Sequence, residues 1–191
     1  MEKWFSAKPC KSGRGHTVLL PLSSFSFPDA SSPLDYIAAV YSSVPMGIVL
    51  LALAYGAWKR SIEVVSFLLL FLVHWPVTSI LKLCIQQSRP LGSCSYSYGM
   101  PSGHAFASVS TFVFLSLTWL LSKKEKVDVL KVFLIGLILL PVGWSRVQLQ
   151  DHSVAQVVVG SSLGAAWGGL WFMVNPWLTA KLRAAAQKLK C

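Results

Sequence analysis

The sequence predicts an all-α fold, a polytopic membrane helix bundle of about five transmembrane helices, on three observations. Of 191 residues, 54% are hydrophobic and only 13% charged, about half the charged share of a soluble domain. The apolar residues gather in five stretches, near 35–58, 62–81, 102–121, 127–144 and 152–174. Each is at or close to the ~20 residues a helix needs to cross a bilayer. The cations fall in short clusters between those stretches rather than on one basic face, as membrane topology requires.

Residues 1–33 are rich in Ser, Pro, Lys and Gly and lack the short apolar core of a signal peptide. They read as a poorly ordered tail or an interfacial arm. Residues 34–176 read as one membrane domain, with no internal repeat or linker to divide it, and 177–191 as a basic C-terminal tail. Small residues recur in the fifth stretch (Gly160, Ser161, Ser162, Gly164, Gly168, Gly169). Such residues let helices approach closely in lipid, so this helix is expected inside the bundle.

The loops alternate between two sides. One holds Lys59 and Arg60, then Lys123, Lys124 and Lys126, then the tail with Lys181, Arg183, Lys188 and Lys190. By the positive-inside rule that side is cytosolic. The other side holds residues 82–101 and 145–151 and faces a lumen or the exterior; the basic residues Lys3, Lys8, Lys11 and Arg14 fall there too, against the rule. The net charge of +10 is distributed by topology, which excludes a nucleic-acid partner and leaves the lipid bilayer. Cys10, Cys84, Cys94 and Cys191 form no CxxC pair, so no metal site or disulfide framework is expected.

On the lumenal side, outside the N-terminal segment, lie Lys82, Arg89 and Arg146, each at or near a helix end, with His104 and His152 at the same level. Ionisable groups at membrane depth are costly, so their convergence on one face marks a site. Three cations can neutralise a phosphate: Arg offers a planar fork of donors, Lys a point charge. Pro101-Ser102-Gly103-His104 opens a helix, whose N-terminal N–H groups suit an anion. Gly103 permits close approach and the Ser102 hydroxyl adds a donor. Two histidines beside a phosphate suggest one nucleophile and one general acid. His74, mid-helix near Pro76, reads as a hydrogen-bonded interior residue or a kink feature.

Lys82, six residues, Arg89-Pro90; Pro101-Ser102-Gly103-His104; Ser145-Arg146, five residues, His152: this order resembles the three-part signature of the type 2 phosphatidic acid phosphatase and vanadium haloperoxidase superfamily. The resemblance covers about 35–174. It implies that His152 attacks phosphorus and forms a phosphohistidine. It further implies that His104 protonates the leaving group and then activates water, and that Lys82, Arg89, Ser102, Gly103 and Arg146 hold the phosphoryl oxygens. No metal or other cofactor is required. Six helices are common in that family, so a partner helix or a second copy could complete a bundle of five.

One position departs from the signature. The family's third motif usually ends in an Asp four residues after the histidine, and here that position is Gln156. At i, i+4 it shares a helix face with His152. Its amide oxygen can accept from the ring and fix the tautomer, but supplies no charge. Asp151, adjacent in sequence, reads as a helix N-cap. The His, three residues, Gln arrangement resembles the dolichyl diphosphate phosphatase branch, as do Tyr98-Gly99-Met100 and the stretch 59–90. That branch implies conversion of dolichyl diphosphate to dolichyl phosphate on the lumenal face of the endoplasmic reticulum, recycling the lipid carrier of protein N-glycosylation. The alternatives are a general phosphatase for phosphatidic acid or related lipids, and a catalytically weak lipid-phosphate-binding protein.

Overall fold

The computed structural model describes residues 32–93, 95, 97–121 and 129–188, and the backbone of strand residues 8–9, 16–20 and 23–27. Lys123, Lys124, Lys126, Lys190, Cys10, Cys94 and Cys191 lie outside the described residues. Among the described residues six helices follow in order: α1 (Pro33–Lys59), α2 (Ile62–Ile85), α3 (Gly103–Leu120), α4 (Val129–Leu139), α5 (Pro141–Gln148) and α6 (Val154–Lys188). With α4 and α5 taken as one span, five are long and apolar enough to cross a membrane. The bundle is inside-out by soluble standards: Trp58, Leu51, Leu72 and Trp75 are each more than two-thirds exposed, as a lipid-facing surface allows.

Three details differ from the sequence reading. The segment before α1, expected as a poorly ordered tail or interfacial arm, carries three short strands, β1 (Lys8–Pro9), β2 (His16–Leu20) and β3 (Ser23–Phe27). They form an antiparallel sheet in the order β1-β2-β3. The fourth stretch is interrupted at Leu140, because Pro141 brings no N–H and fits best at the first position of a new helix. The fifth does not stop near residue 174: α6 runs 35 residues through Pro176 to Lys188. At 1.5 Å per residue that is about 52 Å, well beyond the ~30 Å of a hydrocarbon core.

Helix ends follow local chemistry. Ser32 caps α1 by accepting from the Leu34 N–H, and Ser61 caps α2 by accepting from the Val64 N–H. Both helices end on a left-handed residue, Arg60 and Gln86, whose N–H closes the last turn.

The centre of the bundle is α3, with Ala105, Phe106, Ala107, Ser108, Ser110, Thr111 and Phe114 buried. Its hydroxyls donate within their own helix, Ser110 to the Ala107 carbonyl at 3.0 Å and Thr111 to the same carbonyl at 2.8 Å. α3 packs chiefly on α6. The reason is a glycine stripe: a Cβ on Gly160, Gly164 or Gly168 would fall 2.6, 2.5 or 2.4 Å from the carbonyl oxygen of Ser102, Phe106 or Ser110. Both sets repeat every four residues, so the two backbones lie against each other for more than two turns. This contact sets the heads of α3 and α6 side by side.

Candidate active site

Lys82 in the last turn of α2, Arg89 in the following loop, Gly103 and His104 at the head of α3, Arg146 on α5, and His152 before α6 all line one cavity of about 900 Å³. His104 lies within electrostatic reach of the cations Arg146, Lys82 and Arg89 and of the His152 ring. From this polar end the cavity runs down between α1 and α2, past Pro45, Met46, Val49 and Leu53 on one side and Leu72, Leu69, Leu68 and Val65 on the other. The α2 wall from Lys82 to Val65 is about 25 Å of helix at 1.5 Å per residue. One end is cationic and the rest apolar, the polarity of a phosphorylated lipid.

His152 is 2% exposed and hydrogen-bonded at both ring nitrogens. Nε2 lies 3.1 Å from Arg89 Nη1, and Nδ1 lies 3.1 Å from Gln156 Oε1. A guanidinium only donates, so Nε2 must accept; Nδ1 then carries the proton and donates to Gln156. The tautomer follows from its neighbours, and it leaves the lone pair on the nitrogen at the cationic end. Burial first, then the Arg89 and Arg146 charges, push the His152 pKa down to about 2, against which the Gln156 bond works. The ring is neutral at physiological pH.

The cations are held differently. Arg146 is 3% exposed and pairs with Asp151, itself 1% exposed, through Nη2 at 2.6 Å. Its Nη1 donates to the Ser42 hydroxyl on α1. Asp151 is therefore not the N-cap expected from sequence. Its carboxylate is occupied by Arg146 and by Ser93 Oγ at 3.3 Å, while the head of α6 is closed by Ser153, whose hydroxyl accepts from the Gln156 N–H at 3.3 Å. Arg89 donates to the Ser97 carbonyl at 2.9 Å, the Ser97 hydroxyl at 3.0 Å and the Asp151 carbonyl at 2.8 Å, besides His152. Burial lowers its pKa to about 10, with Asp151 opposing, so it stays charged at neutral pH.

Ser102 and Gln156 stand behind the cavity wall. The Ser102 N–H donates to the Gln156 carbonyl at 3.1 Å, and its hydroxyl is buried with no hydrogen-bond partner among the described residues. Gly103 faces open space: a Cβ there would meet nothing within 4 Å. His74 donates its Nδ1–H to the Phe71 carbonyl at 2.9 Å and stacks on Phe106 at 5.5 Å, an interior histidine on the cavity wall. Sequence reasoning missed Ser42, Ser97 and the Arg146–Asp151 pair. Only the last left a local signal, a five-residue spacing between opposite charges. No group of three or more His, Cys, Asp or Glu side chains gathers as a metal cluster among the described residues.

The family model for the PAP2 superfamily matches residues 63–180. Mouse dolichyldiphosphatase 1 is 31% identical over 153 residues, which cover 73% of this chain and 64% of the mouse protein. Dolichyldiphosphatase of Saccharomyces cerevisiae is 28% identical over 76% of this chain and 66% of its own length. Lipid phosphate phosphatase epsilon 2, chloroplastic, of Arabidopsis thaliana is 37% identical over 49% of this chain and 33% of the plant protein. The chain thus spans at most about two-thirds of the length of these curated relatives. In fold it is similar to the transmembrane PAP2 type phosphatidylglycerolphosphate phosphatase of Bacillus subtilis, with a TM-score of 0.64 over 77% of this chain and 79% of that one at 21% identity.

Proposed function

The chain belongs to the PAP2 superfamily, and on that premise we propose that it is an integral membrane hydrolase removing the terminal phosphate of a polyisoprenyl diphosphate, dolichyl diphosphate being the substrate that the names of its mouse and yeast relatives give. The observation that carries this reading is His152: a neutral imidazole with its Nε2 lone pair directed to Arg89, at the cationic end of an otherwise apolar cavity.

The proposed reaction has two steps. Arg89 Nη1 gives up its hydrogen bond to His152 Nε2 and turns to a phosphoryl oxygen; Nε2 then bonds to the terminal phosphorus while the bridging P–O bond breaks, and His104 gives a proton to the departing lipid phosphate. His104 then takes a proton from water, the water oxygen bonds to phosphorus, and the N–P bond breaks to release phosphate. Lys82, Arg89 and Arg146, with the Gly103 N–H at the helix head, balance the charge on the phosphoryl oxygens. Ser102 contributes through position, its N–H being bonded to Gln156. Gln156 keeps the Nδ1 proton in place. The positive charge comes from side chains, so turnover should persist in EDTA.

Lys59 and Arg60, between α1 and α2, and Arg183, late in α6, fall at the end of the bundle opposite the cationic end of the cavity. This supports a cytosolic placement of that end and hence a site facing the lumen of the endoplasmic reticulum, where the product would return as lipid carrier for N-glycosylation. A second reading, a phosphatase for phosphatidic acid or a related lipid, is favoured by the similarity to the plant lipid phosphate phosphatase. Phosphate release in EDTA from dolichyl diphosphate and from phosphatidic acid, with His152→Ala as blank, separates them. Faster release from the diphosphate, lost in the variant, supports the first reading. Preference for phosphatidic acid supports the second. Undiminished release by His152→Ala sinks both.

A further inference from the structure

We propose that residues 87, 88 and 99 form a clamp that specifies an amide at position 156, and that Gln87 is a positioning residue for His152. The inference rests on the reading of His152 as nucleophile.

The Gln156 amide uses its full hydrogen-bonding capacity. Oε1 accepts from His152 Nδ1 at 3.1 Å and from the Ser153 N–H at 3.2 Å. Nε2 donates to the Ser88 carbonyl at 2.8 Å and to Gln87 Oε1 at 3.0 Å. With two acceptor and two donor positions, the group is complete. It is 1% exposed, so solvent cannot stand in for a lost partner.

These partners distinguish an amide from an acid. A carboxylate at 156 would put an oxygen against the Ser88 carbonyl with no proton between them. Gln87 can turn its own amide to offer an N–H, but a backbone carbonyl has no such option. An acid that takes up a proton can donate to Ser88, but is then neutral again. The surroundings thus select an uncharged partner for His152, where the signature read from the sequence carries a negative one.

Gly99 closes the clamp. Its N–H donates to the Gln87 carbonyl at 2.8 Å. A Cβ at 99 would lie 2.5 Å from both Nε2 and Oε1 of Gln156, so only glycine leaves the amide in place. The left-handed turn at Gln86, φ 51° and ψ 25°, delivers the segment. Three consecutive residues then address both ends of one imidazole: Arg89 touches Nε2, and Gln87 and Ser88 act on Nδ1 through Gln156.

The test measures kcat and KM for phosphate release from a polyisoprenyl diphosphate by the purified full chain, with His152→Ala as blank. Gln156→Glu should lower kcat by about tenfold or more while KM stays within about threefold, the pattern of a lost transition-state interaction. Gln87→Ala should lower kcat by about fivefold, Gln87→Glu, which keeps an acceptor toward Nε2, should retain kcat, and Gln87→Ala should cost nothing further in a Gln156→Ala background. Gln156→Glu turning over as fast as the parent would overturn the clamp. So would an equal loss from Gln87→Ala in both backgrounds, which marks a merely structural residue. If Gln156→Glu does not fold, the Gln87 pair decides alone. Activity surviving in His152→Ala would instead overturn the nucleophile reading, an outcome separate from failure of the clamp.

Discussion

Two helix contacts in this bundle are opposites. Between α3 and α6, glycines at 160, 164 and 168 bring backbone onto backbone, and no side chain intervenes. Between α1 and α2, branched and long apolar side chains face a cavity of about 900 Å³. The closed contact fixes the heads of α3 and α6, and with them His104 and His152. In the proposed reaction the open one leaves room for a lipid chain to follow its phosphate to those histidines. Close packing then holds the proposed reacting groups, and space lies where the apolar part of the substrate would go.

The largest effect is expected beside the head of α6, in the buried Arg146–Asp151 pair. Asp151→Ala leaves Arg146 buried without its carboxylate, and removing one partner of a buried pair costs about 3–5 kcal/mol. Thermal unfolding of the detergent-purified variant should show that loss, together with loss of phosphate release. Gly164→Leu drives a side chain into the Phe106 backbone, which cannot yield as a flexible side chain would. Overpacking of this kind costs about 1–3 kcal/mol, and kcat should fall more steeply than stability because both histidines shift. An equally stable, equally active Gly164→Leu would remove the contrast between the two contacts.

The open contact is probed by filling it. Leu69→Trp narrows the cavity well below the cations. It should lower kcat/KM for a long polyisoprenyl diphosphate by about tenfold and leave a short, soluble diphosphate within about twofold, on the scale of poorly matched apolar pockets. Equal losses on both substrates would show that the chain lies elsewhere.

His152 couples the site to pH. Folded, it is neutral down to about pH 2; unfolded, it takes a proton near 6.5. Below pH 6.5 the unfolded chain binds more protons, so stability falls as pH falls, by up to about 1.4 kcal/mol per pH unit. His152→Ala should lack this share of the slope between pH 6.5 and 5, measured by denaturation at each pH. The smallest effect is expected from Gly103→Ala, whose methyl enters open space at the helix head. It should raise KM by a few-fold, with kcat nearly unchanged, by crowding the anion rather than the nucleophile.

How much of this was legible in sequence depended on distance along the chain. The five spans and the convergence of Lys82, Arg89, His104, Arg146 and His152 follow from apolar length and alternating loop sides, both local properties. The glycine stripe announced close packing but not its partner. Ser42 reaches Arg146 across 104 positions, and Gln87 reaches Gln156 across 69; packing, not spacing, creates such pairs. Asp151 precedes a helix and so reads as a cap in the sequence, but its carboxylate is taken by Arg146 and Ser93, partners that only the packing of α5 and the 87–99 loop supplies. The fifth apolar stretch ends near residue 174, whereas α6 continues through Pro176 into the basic segment to Lys188, a length that hydropathy alone does not mark.

The central claim is that His152 carries the phosphoryl group. The most direct measurement is an alkaline quench of the purified chain turning over a polyisoprenyl diphosphate labelled in its terminal phosphate. Label should be bound to protein, stable in base and lost in acid, mapping to His152 and absent from His152→Ala. Label on any other residue, or turnover that persists in His152→Ala, would contradict it.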